Sequence, residues 1–243
     1  MAYPKFPEKH VEDALFHPKD LIKYAKTKGK FPRKYIVTYQ ARAKNYFTKK
    51  YRSKKVKIHS LLTIYIHKDI GFVKIPGIGA PQAVSTFEQL IALGGREFLS
   101  IGTAGGLQSE GIFLCEKAIR DEGTSYHYVH HGDLALPDKK LTDKLEKVME
   151  KRSLIFTKGT TWTIDAPFRE TKAEISHYKK EGVSTVEMEA SALFAVAKYR
   201  KVKIASAFIV SDVLGEKWTP NFRKLDVVKA QNKLIDAAID CLQ

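Results

Sequence analysis

The sequence has little cysteine and no long apolar run. Its 243 residues contain two cysteines, Cys115 and Cys241, which are too few and too far apart for a disulfide framework or a cysteine-based metal site. No apolar stretch approaches the roughly 18 residues that a membrane-spanning helix needs. The first ten residues also lack the apolar core of a secretory signal. We therefore expect a cytoplasmic protein with no membrane partner and no bound metal.

Acidic residues are scarce at the amino-terminal end of the chain. Residues 1–60 hold 17 of the 42 Lys and Arg but only 4 of the 27 Asp and Glu, so this flank has 13 of the 15 net positive charges. A basic flank can attract nucleic acid or any phosphorylated partner. No zinc-finger, RNA-binding or heptad pattern accompanies the charge. A solvated, lysine-rich face is therefore the favoured interpretation, and nucleic acid is the weaker one.

Apolar runs alternate with helical patterns along the rest of the chain, and hydrophobic residues make up an ordinary 44%. This alternation predicts an α/β fold with a mixed, largely parallel sheet covered by helices on both faces. No repeat or linker divides the sequence, so we expect one domain over residues 1–243. The predicted strands are 35–38, 61–66, 72–75, 98–101, 112–115, 184–186 and 203–210, and the predicted helices are 83–93, 141–152, 190–200 and 227–242.

Two glycine-rich segments follow predicted strands. The first is PGIGAP at 76–81, and the second is SIGTAGGL at 100–107, with Thr103 among its glycines. Glycines at such positions let backbone N–H groups approach an anion or a sugar at the sheet edge, where α/β proteins bind ligands. Each segment alone also fits an ordinary turn. Together they favour a ligand site.

Carboxylates mark two further positions. Glu187 and Glu189 flank Met188 directly ahead of the predicted helix 190–200. Acidic residues in a first helical turn favour the positive end of the helix dipole, and a ligand rich in hydroxyls is the alternative. Asp212 follows the predicted strand 203–210, where a carboxylate fits a helix N-cap.

Four segments resemble the nucleoside phosphorylase superfamily in order and spacing: PGIGAPQAVSTFEQLIALGGREFLSIGTAGGL, AIRDEGTSYHY, TVEMEASALF and FIVSDVL. The first two are most similar to uridine phosphorylases, as is LFHPKDL at 15–21. The resemblance spans nearly the whole chain. It implies a nucleoside phosphorylase-like fold and a homo-oligomer, either a dimer or a hexamer. It also implies cleavage of a uridine or purine ribonucleoside with inorganic phosphate as co-substrate and no other cofactor.

The same resemblance implies roles for individual residues. Cleavage of an N-glycosidic bond builds positive charge on the sugar, which a carboxylate bonded to the ribose hydroxyls stabilises. Asp212 would protonate a purine base as it leaves, whereas uridine phosphorylases usually lack this acid, so the base stays open. The implied ribose ligands are Glu189, Met188, Glu187 and a neighbouring subunit's His17; the base ligands are Asp212, Phe168 and Arg169; the phosphate ligands are Thr103, Arg42 and Ser100.

The phosphate residues depart from the family pattern. The family's Gly-Asp-Pro-x-Arg loop has no match in VTYQARAKNYF at 37–47, where Arg42 is the nearest arginine, and Ser100 stands where a second arginine is expected. A hydroxyl lacks the charge and forked donors of a guanidinium. A hydrolytic nucleosidase similar to AMP nucleosidases is therefore the main alternative. A non-catalytic nucleoside- or RNA-binding protein is a distant third.

Overall fold

The computed structural model describes residues 4–6, 9, 12–130 and 132–243. Short 3₁₀ turns lie at Ser125–His127 and Pro167–Arg169. The helices are α1 (Pro18–Tyr24), α2 (Ala41–Tyr51), α3 (Ala80–Ala92), α4 (Lys139–Lys151), α5 (Lys172–Lys180), α6 (Ala190–Arg200) and α7 (Leu225–Leu242). The strands are β1 (Lys34–Thr38), β2 (Lys54–His59), β3 (Leu62–His67), β4 (Ile70–Lys74), β5 (Glu97–Gly106), β6 (Ile112–Asp121), β7 (Leu134–Ala135), β8 (Phe156–Ile164), β9 (Val183–Glu187), β10 (Lys203–Leu214) and β11 (Trp218–Pro220).

All these strands belong to one sheet, part of which closes on itself. β10 pairs with both β5 and β6, β8 joins β6 to β9, and β9 returns to β5, so five strands form a ring. From β5 the sheet continues through β1, β4 and β3 to the edge strand β2. Parallel pairs such as β1–β5 occur beside antiparallel pairs such as β3–β4. The carboxyl ends of β1, β4 and β5 meet at one edge.

Helices cover both faces of this sheet. Apolar residues of α3 and α6 form one core with β1, β4 and β5, whereas α2, α4 and α7 form a second core on the opposite face. A smaller cluster joins α5 to β8 and β9. The mixed α/β fold with helices on both faces is thus confirmed. In the described part of the chain, no helix combines the length and apolarity needed to cross a membrane.

Several elements differ from the sequence expectations. Strands β2 and β8 and helices α2 and α5 were not predicted, because each is rich in Lys or Thr and buries few apolar side chains. The segment 100–107 was expected to follow a strand, but β5 continues through Gly106. A side chain at Gly105 would place its Cβ 2.4 Å from Leu214 Cδ1, so the glycine lets β10 approach β5 within the ring.

Phe47 provides a test of how α2 is held to the sheet. Its buried ring stacks on Phe72 with the centroids 4.3 Å apart. We expect Phe47→Ala to lower the free energy of unfolding by about 3–5 kcal/mol, because it leaves a cavity between helix and strand. Phe168→Ala is the matched control, since that ring is 98% exposed, and its effect should stay within about 0.5 kcal/mol. Urea denaturation measures both; equal losses would contradict the packing described for α2.

Candidate active site

Glu189 lies in the short connection between β9 and α6 and is buried. One of its carboxylate oxygens accepts a hydrogen bond from the backbone N–H of Gly79 at 2.6 Å. Gly79 directly precedes α3 and has a φ of 93°, a left-handed value that favours glycine. The Glu189 carboxylate therefore faces the amino-terminal end of α3, where the helix dipole favours negative charge.

Glu187 ends β9 and has a different environment. Its carboxylate accepts hydrogen bonds from the backbone N–H groups of Glu189 and Ala190, both at 2.7 Å, and from Thr163 Oγ1 at 2.5 Å. These bonds satisfy donors at the start of α6, which is the helix-terminus role that the sequence left open. Three protein donors thus engage this carboxylate. A direct contact between Glu187 and a sugar stays a prediction.

Burial shifts the titration of both carboxyls. It raises the pKa of Glu187 and of Glu189, and the neighbouring charge of Glu187 raises the pKa of Glu189 further. In the described part of the chain, neither carboxylate forms an ion pair with Lys, Arg or His. A ligand that donates hydroxyl hydrogens or develops positive charge would therefore favour the ionised form of Glu189.

Met188 lies beside the same turn. Its Cε methyl carbon would be 3.9 Å from a Cβ built on Gly79, and its side chain is only partly buried. The turn at 76–81 thus has an apolar thioether and a buried carboxylate on one side. This turn follows β4 and opens α3, as predicted.

Asp212 lies within β10, opposite Gly105 of β5. Its carboxylate accepts hydrogen bonds from the indole N–H of Trp218 at 2.8 Å and from the hydroxyl of Ser211 at 2.9 Å. Because β10 continues to Leu214, Asp212 is not a helix N-cap. Trp218 lies on β11 and is 62% exposed, so its indole covers the carboxylate from the solvent side.

Glu170 lies near Asp212 and was not predicted as a site residue. Burial raises the pKa of Glu170 to about 7, and the negative charge of Asp212 adds to this effect. The preceding residues, Phe168 and Arg169, were predicted to bind the base, yet both side chains are exposed. Their base-binding role stays a prediction. Trp162 is fully buried and donates its indole N–H to Asp121, so it belongs to the core.

Two neutral side chains engage the hydroxyls predicted to bind phosphate. Tyr39 and Gln40 follow β1, in the place of the expected Gly-Asp-Pro-x-Arg loop. The hydroxyls of Tyr39 and Ser100 share a hydrogen bond of 3.2 Å, and the Gln40 amide donates to Thr103 Oγ1 at 3.1 Å. Burial and the charge of Glu189 raise the pKa of Tyr39 well above its ordinary value. Tyr39 is therefore a neutral phenol beside the two carboxylates.

Arg42 lies near this cluster without touching it. Its guanidinium donates to Gln231 Oε1 at 2.6 Å and to the backbone carbonyl of Phe222. The amide of Gln231 donates in turn to Gln40 at 3.0 Å. Two amides therefore separate Arg42 from Thr103. Among the described residues, no cationic side chain hydrogen-bonds to Thr103 or Ser100.

Arg120 and the predicted ribose ligand His17 both form hydrogen bonds within this chain. Arg120 donates to Ser125 and to backbone carbonyls of the following loop, including that of His130. His17 is exposed ahead of α1, and its backbone N–H donates to Asp20. Within this chain, no hydrogen bond of His17 reaches the Glu189 region. No group of three or more His, Cys, Asp or Glu among residues 4–6, 9, 12–130 and 132–243 could hold a metal ion.

Sequence comparisons give these residues a family context. A family model described as "Phosphorylase superfamily" matches residues 35–243. The chain is 28% identical over 141 residues to the purine nucleoside phosphorylase of Plasmodium vivax, covering 55% of this chain and 58% of that protein. It is also 28% identical over 149 residues to the uridine phosphorylase of Treponema pallidum, again covering 55% and 58%. The alignments therefore span little more than half the length of these curated relatives.

Solved structures match the fold over almost the whole chain. The purine nucleoside phosphorylase of Toxoplasma gondii in complex with immucillin-H superposes with a TM-score of 0.77 at 14% identity, covering 95% of this chain and 96% of that one. The AMP nucleosidase of Bacteroides thetaiotaomicron gives a TM-score of 0.76 at 19% identity, covering 93% and 98%. At these identities the structural matches support the fold alone.

Glu189→Gln tests the electrostatic state of the site. In the folded protein the pKa of Glu189 is raised above its ordinary value of 4.5. The contribution of this carboxyl to stability is therefore greatest below the ordinary value and is lost as the pH rises through the folded-state pKa. Glutamine cannot ionise and keeps an oxygen that can accept from Gly79. We therefore expect the substitution to stabilise the unliganded protein at pH 8 and to have a much smaller effect near pH 5.

Chemical denaturation at both pH values measures this difference. The exposed Glu150→Gln is the matched control, because it removes a carboxylate from the surface of α4. A loss of stability in Glu189→Gln at pH 8 would contradict the prediction, since it would mean that the folded protein compensates the charge of Glu189.

Proposed function

Because the chain belongs to the phosphorylase superfamily, we propose that it is an enzyme that cleaves the N-glycosidic bond of a ribonucleoside. The observation that carries the proposal is the buried Glu189 carboxylate, which has Met188 beside it and no cationic partner among the described residues. A carboxylate in this state suits a ligand with adjacent hydroxyls and a reaction that builds positive charge.

The proposed chemistry begins at the sugar. Glu189 accepts hydrogen bonds from the ribose 2′- and 3′-hydroxyls, and Met188 packs against the ring. As the bond to the base breaks, the sugar becomes oxocarbenium-like, and the negative charge of Glu189 stabilises it more than it stabilises the neutral substrate. Glu187 supports this arrangement by holding the start of α6.

The leaving base receives a proton in the purine case. Asp212, as a carboxylic acid, gives its proton to N7 of a purine and becomes a carboxylate, which the Trp218 indole N–H holds in place. Glu170, with a pKa near 7, supplies a second carboxyl close to the base. We propose Phe168 and Arg169 as further base contacts from the same segment. A uridine substrate has no N7 and would leave the acid role of Asp212 unused.

Inorganic phosphate is the first candidate acceptor of the ribosyl group. Thr103 and Ser100 would bind it, with Arg42 turning from Gln231 and Phe222 toward the anion. Hydrogen bonds connect Arg42 through Gln231 and Gln40 to Thr103. This chain supports the assignment, because only two side chains separate the guanidinium from the Thr103 hydroxyl. We further propose a homo-oligomer, a dimer or a hexamer, in which a neighbouring subunit's His17 binds the ribose 5′-hydroxyl.

Hydrolysis is the second candidate, and one specific observation favours it. Tyr39 and Gln40 already hydrogen-bond to Ser100 and Thr103. A phosphate dianion in this cluster would lie among neutral groups and near two carboxylates, which costs free energy. Water as the acceptor needs no cation. The alternative product is then the free sugar.

The turnover of Glu189→Gln tests the proposed role of the carboxylate. Loss of a charge placed at the developing cation should lower kcat by about 100- to 1,000-fold. Steady-state kinetics on inosine, guanosine and uridine measure this loss, and the surface variant Glu150→Gln should keep the parent kcat. Turnover of Glu189→Gln within a few-fold of the parent at saturating nucleoside would remove Glu189 from the chemistry.

The acceptor is tested with and without phosphate. If phosphate is used, Arg42→Ala should raise the KM for phosphate at least about tenfold, because a charge-assisted hydrogen bond is lost, and should change the nucleoside KM much less. Arg52→Ala removes an exposed guanidinium just after α2 and serves as the control. The sugar product is identified in parallel. Free ribose formed at the same rate without phosphate, with no effect of Arg42→Ala, would establish hydrolysis.

A further inference from the structure

Positive charge collects at one end of the sheet. β1 begins at Lys34, which lies opposite Ile70 of β4, and β2 begins at Lys54, which lies opposite Ile66 of β3. Since α2 descends from the end of β1, its last turn reaches the same end of the sheet. We call this surface the basic end, and it consists of Arg33, Lys49, Arg52, Lys54, Lys55 and Lys68.

The basic end lies opposite the candidate active site. Tyr39 and Gln40 follow the carboxyl end of β1, whereas the basic end surrounds the amino end of that strand. Strand β1 has five residues and therefore separates the two ends by roughly 16 Å. A ligand at the basic end would therefore not be a substrate in contact with Glu189.

The side chains of the basic end lack acidic partners. All six are exposed, and none forms an ion pair with any carboxylate of the described residues. The acids in this region are already engaged, because Asp69 pairs with Lys34 at 3.1 Å and Asp236 pairs with Lys50 at 2.6 Å. The Lys34 ammonium also lowers the pKa of Asp69 through their hydrogen bond. Six positive charges that form no ion pair among the described residues therefore face solvent together.

Protection of a sheet edge explains only part of this charge. Lysines on an exposed edge strand discourage pairing with other chains, and this accounts for Lys54 and Lys55 on β2. It does not account for Lys49 on α2 or for Lys68 in the turn between β3 and β4. The positive charge extends from α2 across β2, β3, β4 and β1. It therefore covers a surface of the sheet end and not only the edge strand.

The surroundings of the basic end indicate what it binds. None of the exposed large hydrophobic side chains belongs to residues 33–34, 49–57 or 66–69, so it lacks the apolar groups that insert into a lipid interface. The four strands β2, β3, β4 and β1 span about 14 Å. A nucleic acid duplex has one phosphate charge per roughly 1.7 Å of axis with both strands counted, so a duplex of this width has about eight phosphates over its two strands.

We propose that the basic end binds the phosphate backbone of nucleic acid without regard to base sequence. The sequence alone favoured a solvated lysine-rich face, because no zinc-finger, RNA-binding or heptad pattern accompanies the charge. The fold brings the charges together where the nearby acids Asp69 and Asp236 already pair with other lysines and where no large apolar side chain is exposed. Binding of this kind is electrostatic, so it weakens steeply as salt rises. It is independent of the activity proposed above.

The test uses a fluorescently labelled 20-nucleotide single-stranded RNA in anisotropy titrations from 50 to 300 mM salt. Six contacts predict a slope of about −4 in log K against log salt, from about −0.7 per phosphate contact on a single strand. The triple variant K49E/K54E/K55E should lower the affinity at least about tenfold at 100 mM salt and should flatten the slope by about 2.

The matched control is K140E/K144E/K147E on α4. These three lysines are exposed and form no ion pair among the described residues, so this variant changes the net charge equally at another place. Its affinity should stay within about threefold of the parent. If K49E/K54E/K55E does not fold by circular dichroism, K49Q/K54Q/K55Q replaces it, with an expected flattening of the slope by the same amount.

Three results would overturn the proposal. Equal losses in both triple variants would mean that net charge alone attracts the RNA. Absence of RNA binding at 100 mM salt would remove the surface as a nucleic acid site. Binding to phosphatidylserine vesicles with no binding to RNA would assign the surface to a membrane.

Discussion

The hydrogen bond between the Glu189 carboxylate and the Gly79 N–H is the contact on which the candidate active site depends. It joins the β9–α6 connection to the β4–α3 connection. Strands β9 and β4 lie in different parts of the sheet. The bond requires a buried carboxylate, a helix start and a left-handed glycine in one place. Burial then raises the pKa of the carboxyl, so the unliganded fold holds this charge at a cost in free energy. A ligand with hydroxyl donors relieves that cost.

The Tyr39–Gln40 pair determines what else the site can do. In the place expected for an arginine-containing loop, the chain has a phenol and an amide, and each hydrogen-bonds to one of the two hydroxyls on β5. The pair shapes the cluster without adding charge. It also connects the cluster to Arg42 through Gln231, so the nearest guanidinium is held by α7 and by the segment after β11. The proposed anion binding is therefore linked to the position of that segment through the Arg42 side chain.

Much of the fold was predictable from the sequence, because the buried strands and the fully buried part of α6 are apolar runs. Strand β8, with its threonines and a glycine, and helix α2, with two buried residues, lack such a signal. At the site, Glu187, Met188 and Glu189 were predictable because they are adjacent in sequence. Glu170 and Trp218 were not, since their proximity to Asp212 depends on where α5 and β11 pack. No local pattern shows that Arg42 turns toward Gln231.

The direction of the strands relates the two ends of the molecule. The carboxyl ends of β4 and β9 present helix starts and backbone N–H groups, which suit the buried carboxylates Glu187 and Glu189. The amino ends of β1 and β2, with the last turn of α2, present lysine and arginine, and cations favour the carboxyl end of a helix for the same reason. The separation of charge therefore follows from strand direction and helix polarity. A change in the charge at the basic end should leave the environment of Glu189 unaltered, because β1 and the apolar cores on both faces of the sheet lie between them.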